Sequence, residues 1–452
     1  MHDDLTAPAS PGDARRRIPS RDAARVHGCL HEALTRLHAH RGDVDAPLDE
    51  ALRHDPLCVM AHVVRASLRL LGADRPQDRA ASRALAAAER SYANADPHER
   101  AHVEALRAWN AGDARGALAR YGALLAEDPR DSLALHVAHA LDFRLGNRER
   151  LRDRVAAVLP HWHDGMPHFG YVLGMYAFGL EETGDYAYAE RMARRSLALV
   201  PDNAAAVHVV AHVLEMQGRA QEGIAWLEAT RSIWSRNAGF AVHVAWHLAL
   251  FHIDRDDGHR ALAVYDDALR PTARVSTAAL VDASALLWRL ALRGVDVQAR
   301  WREVARRWHR KRLRGMRAFN LVHAVLAFAG ARREHRARAV VDLMRSDAAT
   351  RRTNTVEDLD LAVPVGEALV AFARDDYSRA IERLARVREV AEHCGGSVAQ
   401  CDLILLTYVE AALRGRRARL AQALAAERTA RRPRSRLNRW LFARAGAAAS
   451  NA

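Results

Sequence analysis

Lysine is all but missing from this chain. Of its 68 basic residues only Lys311 is lysine, and the other 67 are arginine. With the abundance of alanine, this imbalance points to the codon usage of a GC-rich genome rather than to a surface selected for phosphate. The formal charge of +13 therefore does not mark a nucleic-acid-binding protein, and nucleic acid is not an expected partner. Cysteine is scarce as well: Cys29, Cys58, Cys394 and Cys401 form no CxxC spacing and suggest no disulfide framework. No signal peptide is apparent and no apolar run approaches 18 residues, so a cytoplasmic protein with reduced thiols and no membrane partner is expected. GxSxG, HExxH and GxGxxG are absent, which leaves no motif naming a nucleophile, a zinc protease or a nucleotide cofactor. Period-two alternation is almost absent too, and its lack argues against strands.

What is present is a 3.6-residue period from Asp22 onward, the mark of an all-α fold. The most informative stretch is Asp202 to Gly218, DNAAAVHVVAHVLEMQG. It reads as a helix opened by Asp202 or Asn203 as N-cap and closed by Gly218 in a left-handed turn. His208, His212 and Glu215 stand at i, i+4 and i+7, within roughly 60° of one another on a background of Ala, Val, Leu and Met. A solvated face would be broader and richer in charge. His243 and His247, four apart in FAVHVAWHLALF, repeat the device, and the two stripes suggest one shared cavity.

A repeat organises the chain. Gly112, Gly146, Gly184 and Gly218 each end an apolar helix and precede another, at spacings of 34, 38 and 34 residues, and a further pair is expected to turn at Gly258. The unit Gly170 to Asn203 is the clearest: Ala177 permits close helix packing, Tyr186 and Ala189 pack the second helix back, and Pro201 ends it. A 34-residue period of this kind matches the tetratricopeptide repeat (TPR), so the expected fold is a TPR-like α-solenoid, a superhelix of antiparallel helix pairs. The expected divisions are a disordered tail at 1–20, N-terminal helices at 21–97, regular repeats at 98–271, further helices closing the superhelix at 272–413, and a basic helix and tail at 414–452.

Neutral imidazoles four apart on a helix can hold one transition metal through a common face, and a carboxylate one turn on can complete the shell, so a divalent metal is a candidate cofactor. The competing reading is a set of hydrogen-bonded polar residues fixing packing register. Asp282 and His323, on later apolar helices, are candidates for acid–base work beside the histidines. Tyr171, Glu181, Trp246 and Asn320 are candidate groove residues that contact a ligand. Three further features read as structural. PHWHDGMPH, with His161, His163, Asp164 and His168, reads as a solvated loop. Gly395-Gly396-Ser397 reads as a helix end followed by the N-cap of the next helix. The segment Arg300 to Arg317 reads as a solvated basic helix with Trp301 and Trp308 buried. The expected function is binding of a small molecule in a His/Glu/Asp-lined concave pocket, with catalysis by histidine acid–base or metal-assisted chemistry. The alternative is a non-catalytic scaffold holding a peptide in its groove.

The segments RDRVAAVLPHW, GYVLGMYAFGLEETGDY, AVHVVAHVLEMQGR, HVAWHLALF, VYDDALRP, LVDASALLWRL, FNLVHAVLAFAGA and HCGGSVAQCD, in that order, resemble the tetratricopeptide repeat protein 38 family. The resemblance covers nearly the whole chain after its first residues and implies an all-helical repeat fold and a cytosolic protein. It implies no particular reaction. It points to His208, His212, Glu215, His243, Trp246, His247, Asp282, Asn320 and His323, and to Gly395, Gly396, Ser397, Gln400 and Asp402. Leu321, where the family pattern has an acid, and Cys401, where it has arginine, depart from it.

Overall fold

The computed structural model describes residues 20–237, 240–273, 275–349, 356–390 and 395–450. Residues 1–19 of the expected tail and Cys394 lie outside the described residues, and Ser20 already begins the first helix. Among the described residues there are helices and no strands. The N-terminal set is α1 (Ser20–Ala39), α2 (Asp45–His54), α3 (Val59–Gly72), α4 (Arg79–Arg90), α5 (Pro97–Asn110) and α6 (Ala114–Glu127). The middle set is α7 (Ser132–Arg144), α8 (Arg148–Val158), α9 (Phe169–Glu182), α10 (Tyr186–Leu199), α11 (Ala204–Met216), α12 (Ala220–Ala229) and α13 (Arg231–Trp234). There follow α14 (Ala241–Asp254), α15 (Gly258–Val264), α16 (Thr277–Leu292), α17 (Gln298–His309), α18 (Ala318–Gly330) and α19 (Glu334–Ala349). The last set is α20 (Val356–Ala373), α21 (Tyr377–Val387), α22 (Val398–Arg414), α23 (Ala418–Arg431) and α24 (Arg436–Ser450).

Neighbouring helices joined by short turns pack on one another, the antiparallel arrangement that such turns impose, and the pairs stack into a helical-repeat solenoid. The turns follow the sequence. Asp113, Asp185 and Asn203 accept backbone N–H groups two or three residues ahead as N-caps, so Asn203 rather than Asp202 opens α11. Gly112, Gly146, Gly184 and Gly218 all take positive φ just past a helix end. The expected turn at Gly258 is displaced: Asp256 holds the left-handed position (φ 68) and Gly258 is the first residue of α15. Asp tolerates this conformation because its short polar side chain bonds locally. The basic segment after Arg300 is helical only to His309, with Trp301 and Trp308 buried beneath it as expected.

The inner helices α11, α14, α16 and α18 are buried on nearly every face, which is why their sequences are apolar all round and their few polar residues conspicuous. One face packs on the paired outer helix; the other is covered by the chain's own ends. From the C-terminal side, Thr407 accepts from Trp288 Nε1 (2.9 Å), Ala399 O accepts from Arg289 (2.8 Å), and Val398 N–H donates to the Glu182 carboxylate (3.2 Å). The Asp254 carboxylate accepts from Ser435 Oγ and from the N–H groups of Arg436 and Leu437, capping α24. Gly218 makes this closure possible, since a Cβ there would lie 2.5 Å from Ser435 N. From the N-terminal side, Asn237 Nδ2 donates to Ala39 O (2.7 Å) and Thr277 to Asp74 (2.6 Å). The superhelix is thus closed over its own interior.

Candidate functional site: a buried histidine–carboxylate cluster

The stripe on α11 and the stripe on α14 face each other across that interior. His208 and His212 rings are 4.4 Å apart, His212 and His247 4.4 Å, His208 and His243 4.8 Å, and His243 and His247 4.9 Å between centroids. One ring nitrogen from each of the four lies within 4.8 Å of the others. His212 and His247 are fully buried and His208 nearly so. The expected shared cavity is corrected on one point. His212 does not line an open groove; it is fully buried, in ring contact with His208 and His247.

Three of the four rings are backed by a carboxylate. His247 Nδ1 is 2.7 Å from Glu215 Oε2, His243 Nδ1 is 3.0 Å from Asp282 Oδ2, and His212 Nδ1 is 3.2 Å from Glu181 Oε2. The last contact is poorly aligned as a hydrogen bond, so neither nitrogen of His212 has a hydrogen-bond partner, and the side-chain partner of Glu181 is Glu182. Glu182, which the sequence reading passed over, stands beside them, with Oε1 3.9 Å from His212 Nδ1. Trp246 stacks on His243 at 5.4 Å, and the buried Arg289 guanidinium lies over its far face.

Burial governs the protonation of this cluster. It holds His208 and His247 well below the usual imidazole range and His212 down to about 4, and neighbouring imidazoles lower His208 and His247 further. It pushes Glu181 and Glu182 up to about 8 and Glu215 up to about 7. At His243 burial acts downward too, but the adjacent Asp282 carboxylate outweighs it and the net displacement is upward. Near neutral pH His208, His212 and His247 are therefore uncharged, His243 holds its proton more firmly than a free imidazole, and the Nε2 atoms of His208 and His247 share a hydrogen bond at 3.2 Å. The Asp282 carboxylate orients Nδ1 of His243, whereas Glu181, Glu182 and Glu215 keep much of their own protons near neutral pH and can donate to the rings they face.

Not every expected site residue joins this cluster. Tyr171 is elsewhere: it stacks on His38 at 5.7 Å. There a second histidine group gathers, with His38 Nδ1 3.2 Å from His136 Nδ1 and His168 held between Thr35 Oγ1 (3.1 Å) and Ser132 Oγ (3.2 Å). His168 was expected in a solvated loop; instead it takes a left-handed conformation at the N-cap of α9 and packs inward, while His161 and His163 stay exposed. On α18, His323 Nδ1 donates to Phe319 O (2.8 Å), and His323 Nε2 and Asn320 Nδ2 are buried without a hydrogen-bond partner. Neither makes a hydrogen bond to the four imidazoles. Ser397 caps α22 with Gln400 in a reciprocal box, as expected, and Gln400 Nε2 reaches Asp282 at 3.5 Å.

A cavity of about 530 Å³ opens on the other side of the carboxylates. Its wall includes Glu182, five arginines (Arg148, Arg388, Arg428, Arg431 and Arg432) and the acids Glu389, Asp402 and Glu427. A small extension of it, sharing Asp402, Arg428 and Arg432, reaches Glu215. Arg428 is fixed by a bidentate pair with Asp402 at 2.7 and 3.0 Å. Arg148 and Arg432 carried no periodic signal in the sequence. Asp402 was singled out only through the family resemblance.

No protein-family model matches the chain. Among solved structures it is similar to a Rap protein complexed with the competence and sporulation factor, at 12% identity over 82% of this chain and 99% of that one, with a TM-score of 0.45. It is also similar to human IFIT1, solved as a dimer with m7Gppp-AAAA, at 15% identity over 94% and 95% of the two chains, with a TM-score of 0.38. Neither likeness bears on the site. No helix among the described residues is long and apolar enough to cross a membrane.

Proposed function

We propose that the protein is a cytoplasmic member of the tetratricopeptide repeat protein 38 family that binds a small molecule bearing an anionic group in the cavity beside Glu182. In this reading the histidine–carboxylate cluster behind that wall is the working part of the site. The observation that carries the reading is the position of Glu182 and Glu215, which line the open space on one side and stand against His212 and His247 on the other. The cavity's volume is in the range of small-molecule sites. Its arginines suit a carboxylate or phosphate. A peptide in an open concave groove is the less supported reading, because α22 and α24 cover the inner helices where such a peptide would lie.

The test is native mass spectrometry of freshly purified protein, followed by thermal-shift screening against small carboxylates and phosphate esters. A co-purified small molecule, or a hit whose stabilisation is lost in Glu182→Gln, supports the proposal. A protein that carries no small molecule and is stabilised by no member of the panel refutes it.

A further inference from the structure

We infer that His208, His212, His243 and His247 form the binding site of a single first-row transition-metal dication, best suited to zinc, and that Glu181, Glu215 and Asp282 hold the rings from behind. This deepens the proposed function, since it names the cofactor of the same cluster.

The geometry is that of a ligand set with its supports in place. Where Nδ1 of His212, His243 and His247 faces a carboxylate, the remaining nitrogen, Nε2, is left for the interior. His247 Nε2 and His208 Nε2 stand 3.2 Å apart, hydrogen-bonded to each other through a proton that an ion would displace. Two nitrogens bound at about 2.1 Å on a tetrahedral ion are separated by about 3.4 Å, so this pair already has the spacing of a ligand edge. The widest separation in the set is up to 4.8 Å, wider than that edge, so the rings would draw together on an ion. Metal-bound imidazole characteristically donates its second N–H to a carboxylate, which orients the ring and makes it more basic, and three of these four rings have that partner.

Packing alone accounts poorly for the same atoms. His212 is fully buried with neither ring nitrogen hydrogen-bonded, and Glu181 beside it is buried with Glu182 as its side-chain partner. Orphaned polar atoms at such depth are costly, and native proteins rarely keep them. An ion among the rings would satisfy the inner nitrogen of His212. The donor chemistry narrows the ion: four imidazoles suit zinc, copper, nickel or iron, whereas calcium and magnesium require oxygen. An imidazole and the carboxyl behind it would separate the ion from open space, Glu182 on the side of the 530 Å³ cavity and Glu215 on that of the smaller one beside it.

The experiment uses full-length protein without an affinity tag, so that no added histidines bind metal. Elemental analysis should find about one zinc or other transition metal per chain, and cobalt added after chelation should give the intense visible absorption of a low-symmetry site. Glu215→Gln and Asp282→Asn, chosen because they keep shape and spare the ligands, should fold as the parent by circular dichroism and bind metal 10- to 100-fold more weakly. The His208→Gln/His247→Gln variant should bind none. The inference is overturned if the parent takes up no metal from micromolar zinc, or if the double variant retains it. Ligand binding is read separately, on chelated protein: a small molecule bound without metal leaves the cavity reading standing and removes the metal site, while metal without any small molecule does the reverse.

Discussion

Among the described residues, two of the buried histidine groups differ in what stands behind the rings; a third, His98 and His102, shares the Asp131 carboxylate at 3.0 and 2.7 Å. In the group on α11 and α14, carboxylates face three of the four imidazoles. In the group formed by His38, His136 and His168, the partners are hydroxyls of Thr35 and Ser132 and other imidazoles. Both groups are buried, and in both burial drives the rings toward the neutral form. A neutral imidazole bonded to a hydroxyl is satisfied: it can donate or accept, and the pair needs nothing more. A neutral imidazole against a carboxylate has a fixed donor on one side and a lone pair directed elsewhere. Burial is common to the two groups; the identity of the second partner is what differs between them.

The largest expected difference comes from removing two rings of one group and then two of the other. His208→Gln/His247→Gln should lower zinc affinity by at least roughly 100-fold, since two ligands are removed from four. His38→Gln/His136→Gln should leave it unchanged within error. Competition with a fluorescent zinc chelator measures both. Equal losses in the two variants would mean that the carboxylates do not distinguish the groups.

The next largest effect is on the pH dependence of stability. His38 faces His136, His168 and His40, with Asp131 further off, and His136 faces His40 and His139; burial keeps both below the usual imidazole range in the folded state. In the unfolded chain each titrates near 6.5. Their contribution is therefore fully present above about pH 6.5 and is lost as pH falls below it, because there the unfolded chain binds more protons. Two such groups lose up to about 2.7 kcal/mol per pH unit between them. Urea unfolding at pH 7.0, 6.0 and 5.5 should show this slope in the parent and a shallower one in His38→Leu/His136→Leu.

Removing the hydroxyl partners is a milder perturbation. Thr35→Val and Ser132→Ala each leave His168 one bond short, and a cost of about 1 kcal/mol apiece is expected in thermal unfolding, with metal affinity untouched. The smallest effect belongs to Phe240, whose ring lies 5.0 Å from His40 and 5.3 Å from His208 and so touches both groups. If the groups are independent, Phe240→Leu should cost less than about 1.5 kcal/mol and change zinc affinity less than about threefold. A larger change in affinity would show that the second group supports the first.

Much of this arrangement is legible in the chain. Gly112, Gly146, Gly184 and Gly218 mark turns because few other residues take positive φ cheaply, and His208, His212, His243 and His247 are visible because an all-buried helix makes any polar residue an exception. Other parts follow from tertiary closure, which leaves no local trace. Glu182 sits in EETGDY, where a pair of acids before a turn reads as a solvated helix end; it is buried only because Val398 and Arg148 come to it from elsewhere. His168 is flanked by Gly165 and Pro167, which suggest an exposed loop, yet α1 packs over it. Tyr171 has the right register for the inner surface but lies at the other histidine group, because α1 reaches into the superhelix at that level.

The closure of the superhelix also bears on how the chain acquires its structure. In an open repeat array each helix pair meets only its neighbours, so folding can begin anywhere and spread. Here Thr277 bonds Asp74 across 203 residues, Val398 bonds Glu182 across 216, and Ser435 bonds Asp254 across 181. Contacts so distant in sequence delay their reward until most of the backbone is ordered, which slows folding and makes it more nearly all-or-none. During synthesis the apolar inner faces of α11, α14 and α16 must wait uncovered until α22 and α24 have been made. The histidine–carboxylate cluster is therefore among the last parts of the molecule to be sealed from water.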